Sequence, residues 1–302
     1  MHIYHSFTQL IDIKQPVHWA AGFFDGVHEG HKRVIESANT PGALRGVLCF
    51  SPHPLAVLRP EHAPLLLTPT PAEKHRLLEE LGVDVLLELP FTAELAEMPP
   101  LLFLDALCSA SQVAGISVGS NWHFGKHGAG NAHFLTQQAT QRGFRACVND
   151  MLLHDDEVVC SSAIRRHLAE GNLHVANAML GRPFSICGTV EHGQKLARKL
   201  GFPTANIAVP AIAATPAHGV YSVQTKLNGT LYTGIANIGT RPTIAENLKI
   251  TRLEAHFPTW NQGEFYGTEL RVELLRFIRP ERKFASVDEL RAQIEKDISA
   301  CF

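Results

Sequence analysis

The sequence predicts an α/β fold followed by a β fold. An open parallel sheet with helices is expected over residues 1–183, and a small antiparallel β-barrel with a C-terminal helix over 184–302. Three observations carry this. Short apolar runs alternate with helical stretches up to about residue 180. Around Gly181 and Pro183 the texture changes, and strand patterns dominate from Ser185 onward. A capping box, Ser286-Val287-Asp288-Glu289, then opens one last helix.

In the first half, Val17–Ala21 reads as a buried strand, a glycine-rich loop follows, and a helix begins at Lys32. Leu44–Phe50 is a second strand. Thr70-Pro71-Ala72-Glu73 is a capping box with proline at the first helical position, so a helix runs to about Leu81 and stops at Gly82. Val83–Leu89, Gly115–Gly119 and Arg145–Val148 are further strands, with helices from Pro99 and Leu135 between them. Ligands of such sheets sit beyond the C-terminal ends of the strands.

In the second half, Ile186–Glu191 is a strand. Tyr221–Leu227 and Thr230–Ile238 form a hairpin around Asn228-Gly229, a type I′ turn signal. Arg252–Phe257 and Leu270–Phe277 follow. Strands and then one helix suggest a barrel with a helical lid. No internal repeat and no low-complexity segment interrupt the chain.

Composition narrows the function. The hydrophobic share is 45% and the charged share 19%, values of an ordinary globular protein. Lys+Arg 27 against Asp+Glu 29 leaves a net charge of -2, which gives no electrostatic case for nucleic acid. No apolar run approaches a membrane span, and no signal-peptide pattern follows Met1. Six cysteines are scattered without a CxxC pair, so reduced thiols in a cytoplasmic protein are expected. The 17 histidines include no HExxH-type metal spacing.

The stretch that organises the chain is Gly22-Phe23-Phe24-Asp25-Gly26-Val27-His28-Glu29-Gly30-His31. Glycines let backbone approach a ligand, and a helix N-terminus presents unpaired N–H groups and a positive dipole end. Two imidazoles three residues apart share one side of the first turn and can donate to a phosphate. A plain tight turn is the competing reading. Three clusters follow other strands. Ser51-Pro52-His53-Pro54 is a proline-fixed loop that aims a histidine. Asn121-Trp122-His123-Phe124-Gly125 either stacks on a planar ring or plugs the core. Cys160-Ser161-Ser162-Ala163-Ile164-Arg165 places Ser161 as a helix N-cap, with hydroxyls and an arginine suited to phosphate.

In the second half, Gly188-x-Val190-x-His192-Gly193 returns through Leu200-Gly201-Phe202-Pro203-Thr204-Ala205-Asn206. The spacing is not that of a Walker loop. The Thr204 hydroxyl and Asn206 carbonyl are hard oxygens suited to Mg²⁺, although on physics alone a polar turn explains them better. In Leu253–Phe257 the period of two puts Glu254 and His256 on the face opposite Leu253, Ala255 and Phe257.

As strings, these motifs resemble a known family. Gly22-x-Phe24-Asp25-Gly26-Val27-His28-x-Gly30-His31 is similar to the HxGH signature of nucleotidylyltransferases. Leu200–Asn206, with Ala236–Thr243 and Leu253–His256, is similar to riboflavin kinase. In that order they resemble the bacterial bifunctional riboflavin kinase/FAD synthetase family over nearly the whole chain. The resemblance implies a Rossmann-like FMN adenylyltransferase domain over 1–183 and a riboflavin kinase domain over 184–302. It implies ATP, riboflavin, FMN and FAD as substrates and products, Mg²⁺ as cofactor, and a monomer or weak homo-oligomer.

Carried over residue by residue, it makes His28, His31, Arg165 and Glu254 catalytic. Gly22, Phe24, Asp25, Gly26, Ser161 and Ser162 join the histidines and Arg165 around ATP. His53, Pro54, Asn121, Phe124 and Gly125 face the flavin. In the kinase, Gly188, Gly193, Gly201, Pro203, Thr204 and Asn206 hold ATP and metal, with Arg241 and Glu254 beside the flavin. The chain departs from the family at Phe23, where asparagine is common, and at Ser51, where glutamate is common. It also departs at Asn121, His123, Gly128 and Cys160. These departures frame two alternatives: a kinase with an altered adenylyltransferase, and a flavin-binding regulator.

Overall fold

The computed structural model describes residues 1–192, 202–242, 249–260 and 266–301, without the side chains of 241, 242 and 249. The chain forms two compact units. One holds 1–64 and 70–160; the other holds 65–69 and 161–302.

The first unit is built on a six-stranded parallel sheet. Its strands are β1 (His2–Tyr4), β2 (Val17–Ala21), β3 (Leu44–Ser51), β4 (Val85–Pro90), β5 (Val113–Gly119) and β6 (Arg145–Asn149). Their order across the sheet is β1-β4-β3-β2-β5-β6. From β2 the chain winds one way through β3 and β4, then returns to the other side of β2 with β5. That reversal makes a crevice at the C-terminal end of β2, the place where ligands of open α/β sheets bind. All five residues of β2 are buried. Val17, Trp19 and Ala21 point to one core, shared with Phe103, Leu104 and Leu107 of helix α4 (Pro100–Ala110) and Leu135 of α5 (Ala132–Arg142). Ala20 points to the other, shared with α1 (Glu29–Ser37) and α3 (Pro71–Glu80). A short helix, α2 (Pro54–Leu58), follows β3. Each fully buried Leu, Ile or Val contributes roughly 1.5–3 kcal/mol, so helices on both faces are what the two-sided apolar strands require.

The second unit is a closed six-stranded barrel with strands in the order β7-β8-β11-β10-β9-β12. These are β7 (Phe184–Glu191), β8 (Ala205–Ala208), β9 (Gly219–Leu227), β10 (Thr230–Pro242), β11 (Lys249–His256) and β12 (Glu269–Pro280). Val223, Leu253, Ala255, Val272 and Leu274 fill its interior at 0% exposure. The expected hairpin is present: Leu227 pairs with Thr230, and Asn228 and Gly229 both take positive φ. Helices α6 (Ser161–Glu170) and α7 (Leu173–Leu180) belong to this unit, as does the C-terminal α8 (Val287–Ser299). Asn177 of α7 joins them to the barrel, donating to Leu274 O at 2.9 Å and accepting from Phe184 N–H at 2.8 Å.

Several elements differ from expectation. Helix α1 starts at Glu29, one turn before Lys32, because His28 caps it. Ser161 is the first helical residue of α6 rather than the residue before the helix. Ala205 and Asn206 lie in strand β8 rather than in a turn, since closing the barrel requires a strand between β7 and β11.

Candidate functional site

In the sheet unit the loop after β2 folds tightly on itself. Phe24, Gly26 and Val27 all take positive φ, at 57°, 82° and 41°. A β-branched residue in that region is strained by about 1–3 kcal/mol, and such strain gathers at functional sites. The loop holds because its side chains are buried: Phe24, Asp25, Val27 and His28 are each at most 5% exposed. His28 is the N-cap of α1, and its Nδ1 accepts the His31 backbone N–H at 3.2 Å. An accepting Nδ1 is unprotonated, so in the neutral ring the proton lies on Nε2 and is the one available for donation. The His28 and His31 rings stack at 3.5 Å between centroids, and Phe24 meets His31 edge-on at 5.2 Å. The glycines of the motif make this possible. A Cβ on Gly30 would lie 3.2 Å from the His28 ring, and one on Gly22 would lie 3.0 Å from the Phe24 ring.

The loop after β3 stands beside this one. His53 caps α2, with Nδ1 accepting from Leu55 N–H at 3.1 Å, and Pro54 is the first helical residue. Phe23 meets the His53 ring edge-on at 4.3 Å. The loop after β5 behaves differently from an open aromatic platform. Phe124 is 6% exposed and packs in the core with Phe103 and Phe134, so it plugs the core. Trp122 stacks on it at 4.3 Å and is the partly exposed ring. Gly125 packs against the Pro100 backbone, and Asn121 is exposed. Ser161, Ser162 and Arg165 lie on α6 of the barrel unit, where Arg165 Nη2 donates to Ser162 Oγ at 3.3 Å.

In the barrel unit the register assembles a second group. Asn206 of β8 and Asn237 of β10 both pair with Glu254 of β11. Directly opposed residues share a face, so the two amides flank the carboxylate. Glu254 and His256 face away from Leu253 and Ala255, as the alternation predicts. On that side lies a cavity of about 310 Å³, lined by Phe202, Thr204, Asn237, Glu254, His256 and Glu281 among others, and roofed by Leu290, Ile294 and Asp297 of α8. His256 Nδ1 donates to Pro203 O at 2.8 Å, which ties β11 to the Phe202–Thr204 segment. Burial lowers the pKa of His256, and that hydrogen bond partly opposes the shift. Asn206 Nδ2 donates to Thr204 O and Oγ1, each at 3.3 Å. Its amide nitrogen is committed to that turn, which leaves Oδ1 as the atom for a cation, beside the Thr204 hydroxyl. Thr204 lines the cavity and Asn206 does not, but both supply the hard oxygens that Mg²⁺ prefers. Among the described residues, no group of three or more His, Cys, Asp or Glu is arranged to hold a metal.

Gly188 is on β7 against Ile207. Gly193, Gly201 and the Arg241 side chain lie outside what is described; the Arg241 backbone pairs with Ile250. Sequence reasoning did not single out Asn237, Glu281, Arg279 or Asp297. Asn237 donates to Glu281 at 2.9 Å. Arg279 of β12 grips Asp297 of α8 with Nε and Nη2, at 2.7–3.1 Å. The Asn228-Gly229 turn fixes Val220 opposite Asn237, but nothing local reveals that Asn237 also faces Glu254.

Comparisons with known proteins agree with both halves. A FAD synthetase family model matches residues 11–163, and a riboflavin kinase family model matches 180–301. The chain is 35% identical to the bifunctional riboflavin kinase/FMN adenylyltransferase of Bacillus subtilis, over 98% of this chain and 95% of that one. It is 37% identical to the Listeria monocytogenes protein of the same name, over 92% and 89%. For the Escherichia coli protein the identity is 36%, over 91% and 88%. A crystal structure described as a macrolide-efflux protein from Streptococcus pneumoniae superposes with a TM-score of 0.87 at 27% identity, covering 98% of this chain and 96% of that one. Among the described residues, no helix is long and apolar enough to cross a membrane. Two family models in tandem and relatives matched almost end to end place the chain in the bifunctional riboflavin kinase/FMN adenylyltransferase family.

Proposed function

We propose that Glu254, Thr204 and Asn206 carry riboflavin phosphorylation, and that His28 and His31 carry FMN adenylylation. The chain is a bifunctional riboflavin kinase and FMN adenylyltransferase. The observation that carries the residue assignment is that each family match contains its own built group. The His28–His31 stack falls in 11–163, and the Asn206–Glu254–Asn237 row falls in 180–301.

In the kinase reaction the riboflavin 5′-hydroxyl oxygen bonds to the γ-phosphorus of ATP. The bond from that phosphorus to the β-bridging oxygen breaks, and ADP leaves. Glu254 takes the hydroxyl proton, the role of a positioned carboxylate base. The apolar side of the cavity, with Phe202, Ile235 and Ile294, suits a flavin ring. The Thr204 hydroxyl and Asn206 Oδ1 would hold Mg²⁺, which would supply charge neutralisation on the ATP phosphates.

In the second reaction a phosphate oxygen of FMN bonds to the α-phosphorus of ATP, and pyrophosphate leaves with the bridging oxygen. No protein nucleophile or base is needed. His28 donates through Nε2–H to the phosphate whose charge grows, and His31 and the α1 N-terminus add positive potential. His53, Pro54 and Asn121 bound the flavin side, with Gly22, Asp25 and Gly26 around the nucleotide. The use of ATP and six free cysteines support a cytoplasmic place.

Product analysis of the purified protein with Mg²⁺ and ATP tests this, once with riboflavin and once with FMN. FMN followed by FAD is expected from the first, and FAD from the second. FMN without FAD would keep the kinase and overturn the adenylyltransferase.

A further inference from the structure

A charged cluster inside the sheet unit takes no part in either reaction as assigned. Lys74 on α3 and Glu88 on β4 are each 6% exposed. Lys74 Nζ lies 3.7 Å from Glu88 Oε1, and His75 Nε2 lies 3.0 Å from Glu88 Oε2. The pair is deep enough to act on Cys49 of β3. Burial pushes that thiol up to about 12, with Lys74 pulling it down and Glu88 pushing it up. Removing an ammonium from water is unfavourable, and one carboxylate at 3.7 Å offsets it only in part. A ring adds to that offset: the Lys74 ammonium sits over Phe23, 4.7 Å from its centroid. Cation–π attraction gains from desolvation, and here Lys74 is buried and Phe23 partly so.

Phe23 is the first residue after Gly22 in the phosphate loop, and its ring meets His53 edge-on at 4.3 Å. His53 is held from its other side by the α2 cap. The contacts Glu88–Lys74–Phe23–His53 therefore run from the sheet interior to two loops of the site. An asparagine at position 23 would offer no ring to the ammonium, so the contact depends on the phenylalanine that this chain carries there.

We propose that Lys74, anchored by Glu88, is a positioning residue for adenylyl transfer: its ammonium fixes the Phe23 ring, and the ring fixes His53 on the flavin side. The inference rests on the assignment of FMN adenylylation to this unit. Lys74 does not touch the reacting atoms. Its loss weakens the hold on FMN in ground and transition states alike, so KM rises and kcat is kept.

The test uses the full chain with Mg²⁺, ATP and varied FMN. Lys74→Met is expected to raise KM for FMN about tenfold, with kcat within about twofold. Riboflavin phosphorylation stays unchanged. Phe23→Leu has the same effect, Phe23→Tyr restores the wild-type KM, and the double variant Lys74→Met with Phe23→Leu is no worse than either single one. A rise below about threefold in Lys74→Met, equal KM values for Leu and Tyr at position 23, or multiplying effects in the double variant each overturn the proposal. If Lys74→Met does not fold, the Leu–Tyr comparison, which leaves Lys74 and Glu88 intact, decides alone. A wild-type chain that makes FMN but no FAD overturns the reaction assignment instead, and is seen before any variant is made.

Discussion

The two sites are assembled by opposite means. In the sheet unit, Gly22 to His31 occupy ten consecutive positions, and one loop with one helix cap sets their geometry. In the barrel unit, Thr204, Asn206, Asn237, Glu254 and Glu281 span 78 positions; strand register sets Asn206 and Asn237 against Glu254, and hydrogen bonds to those two amides bring in Thr204 and Glu281. The local site stores strain at Phe24 and Val27 and depends on glycines next to its rings. The register site has its key polar groups on ordinary extended strands and depends on barrel closure. A site written in one stretch is sensitive to backbone changes at single residues. A site written in register tolerates these but fails when its one reacting group is altered.

The largest expected effect is at Glu254. Glu254→Gln keeps the shape and the strand pairing but removes the base, so riboflavin phosphorylation falls by about 10²–10⁴. FAD formation from supplied FMN is unchanged. Steady-state assays of both reactions on one preparation check this, and a parallel loss of both contradicts the separation of sites. Next is His31→Ala, expected to lower FAD formation by about 10²–10³, the scale of a lost transition-state donor, with FMN formation spared. Smaller still is a pH effect confined to the sheet. His18 on β2 is fully buried, with Nδ1 on Thr40 Oγ1 at 2.8 Å and Nε2 on Ser117 Oγ at 3.0 Å. Burial, helped by Arg145, lowers its pKa from 6.5 to about 4. Between these values the unfolded chain binds the proton and the folded chain does not. Stability therefore falls as pH drops from about 6.5 to about 4, by on the order of 3 kcal/mol from this group. Urea unfolding at pH 7.5 and 4.5 measures the loss, and His18→Gln is expected to reduce it. An unchanged loss would move its source away from the sheet.

The same contrast explains what could be read from the sequence. The β2 loop, the Thr70 and Ser286 caps and the Asn228-Gly229 hairpin are local chemistry, and each is found where its residues predict it. The period of two also identified the face of Glu254. Strand β1 was missed because three residues, His-Ile-Tyr, carry no period, and it forms only by pairing with β4. β8 was hidden because Ala205–Ala208 follows a proline and a threonine that look like a turn, and closure of the barrel recruits it. For Phe124 composition left a stacking platform and a core plug open, because it does not report which side of a loop meets the core, and the ring is in the core. Asn237 and Glu281 were invisible for the reason that separates the two sites: their neighbours are far along the chain.

The grip of Arg279 on Asp297 gives the last helix a meaning beyond packing. Residues 287–299 are a wall of the cavity beside Glu254, stapled by one ion pair to the strand that also closes the barrel. They cannot be treated as a dispensable tail. Trimming the chain before Asp297, or loading that helix with a bulky fusion, would unroof that cavity and leave the loop after β2, at the far end of the sequence, untouched.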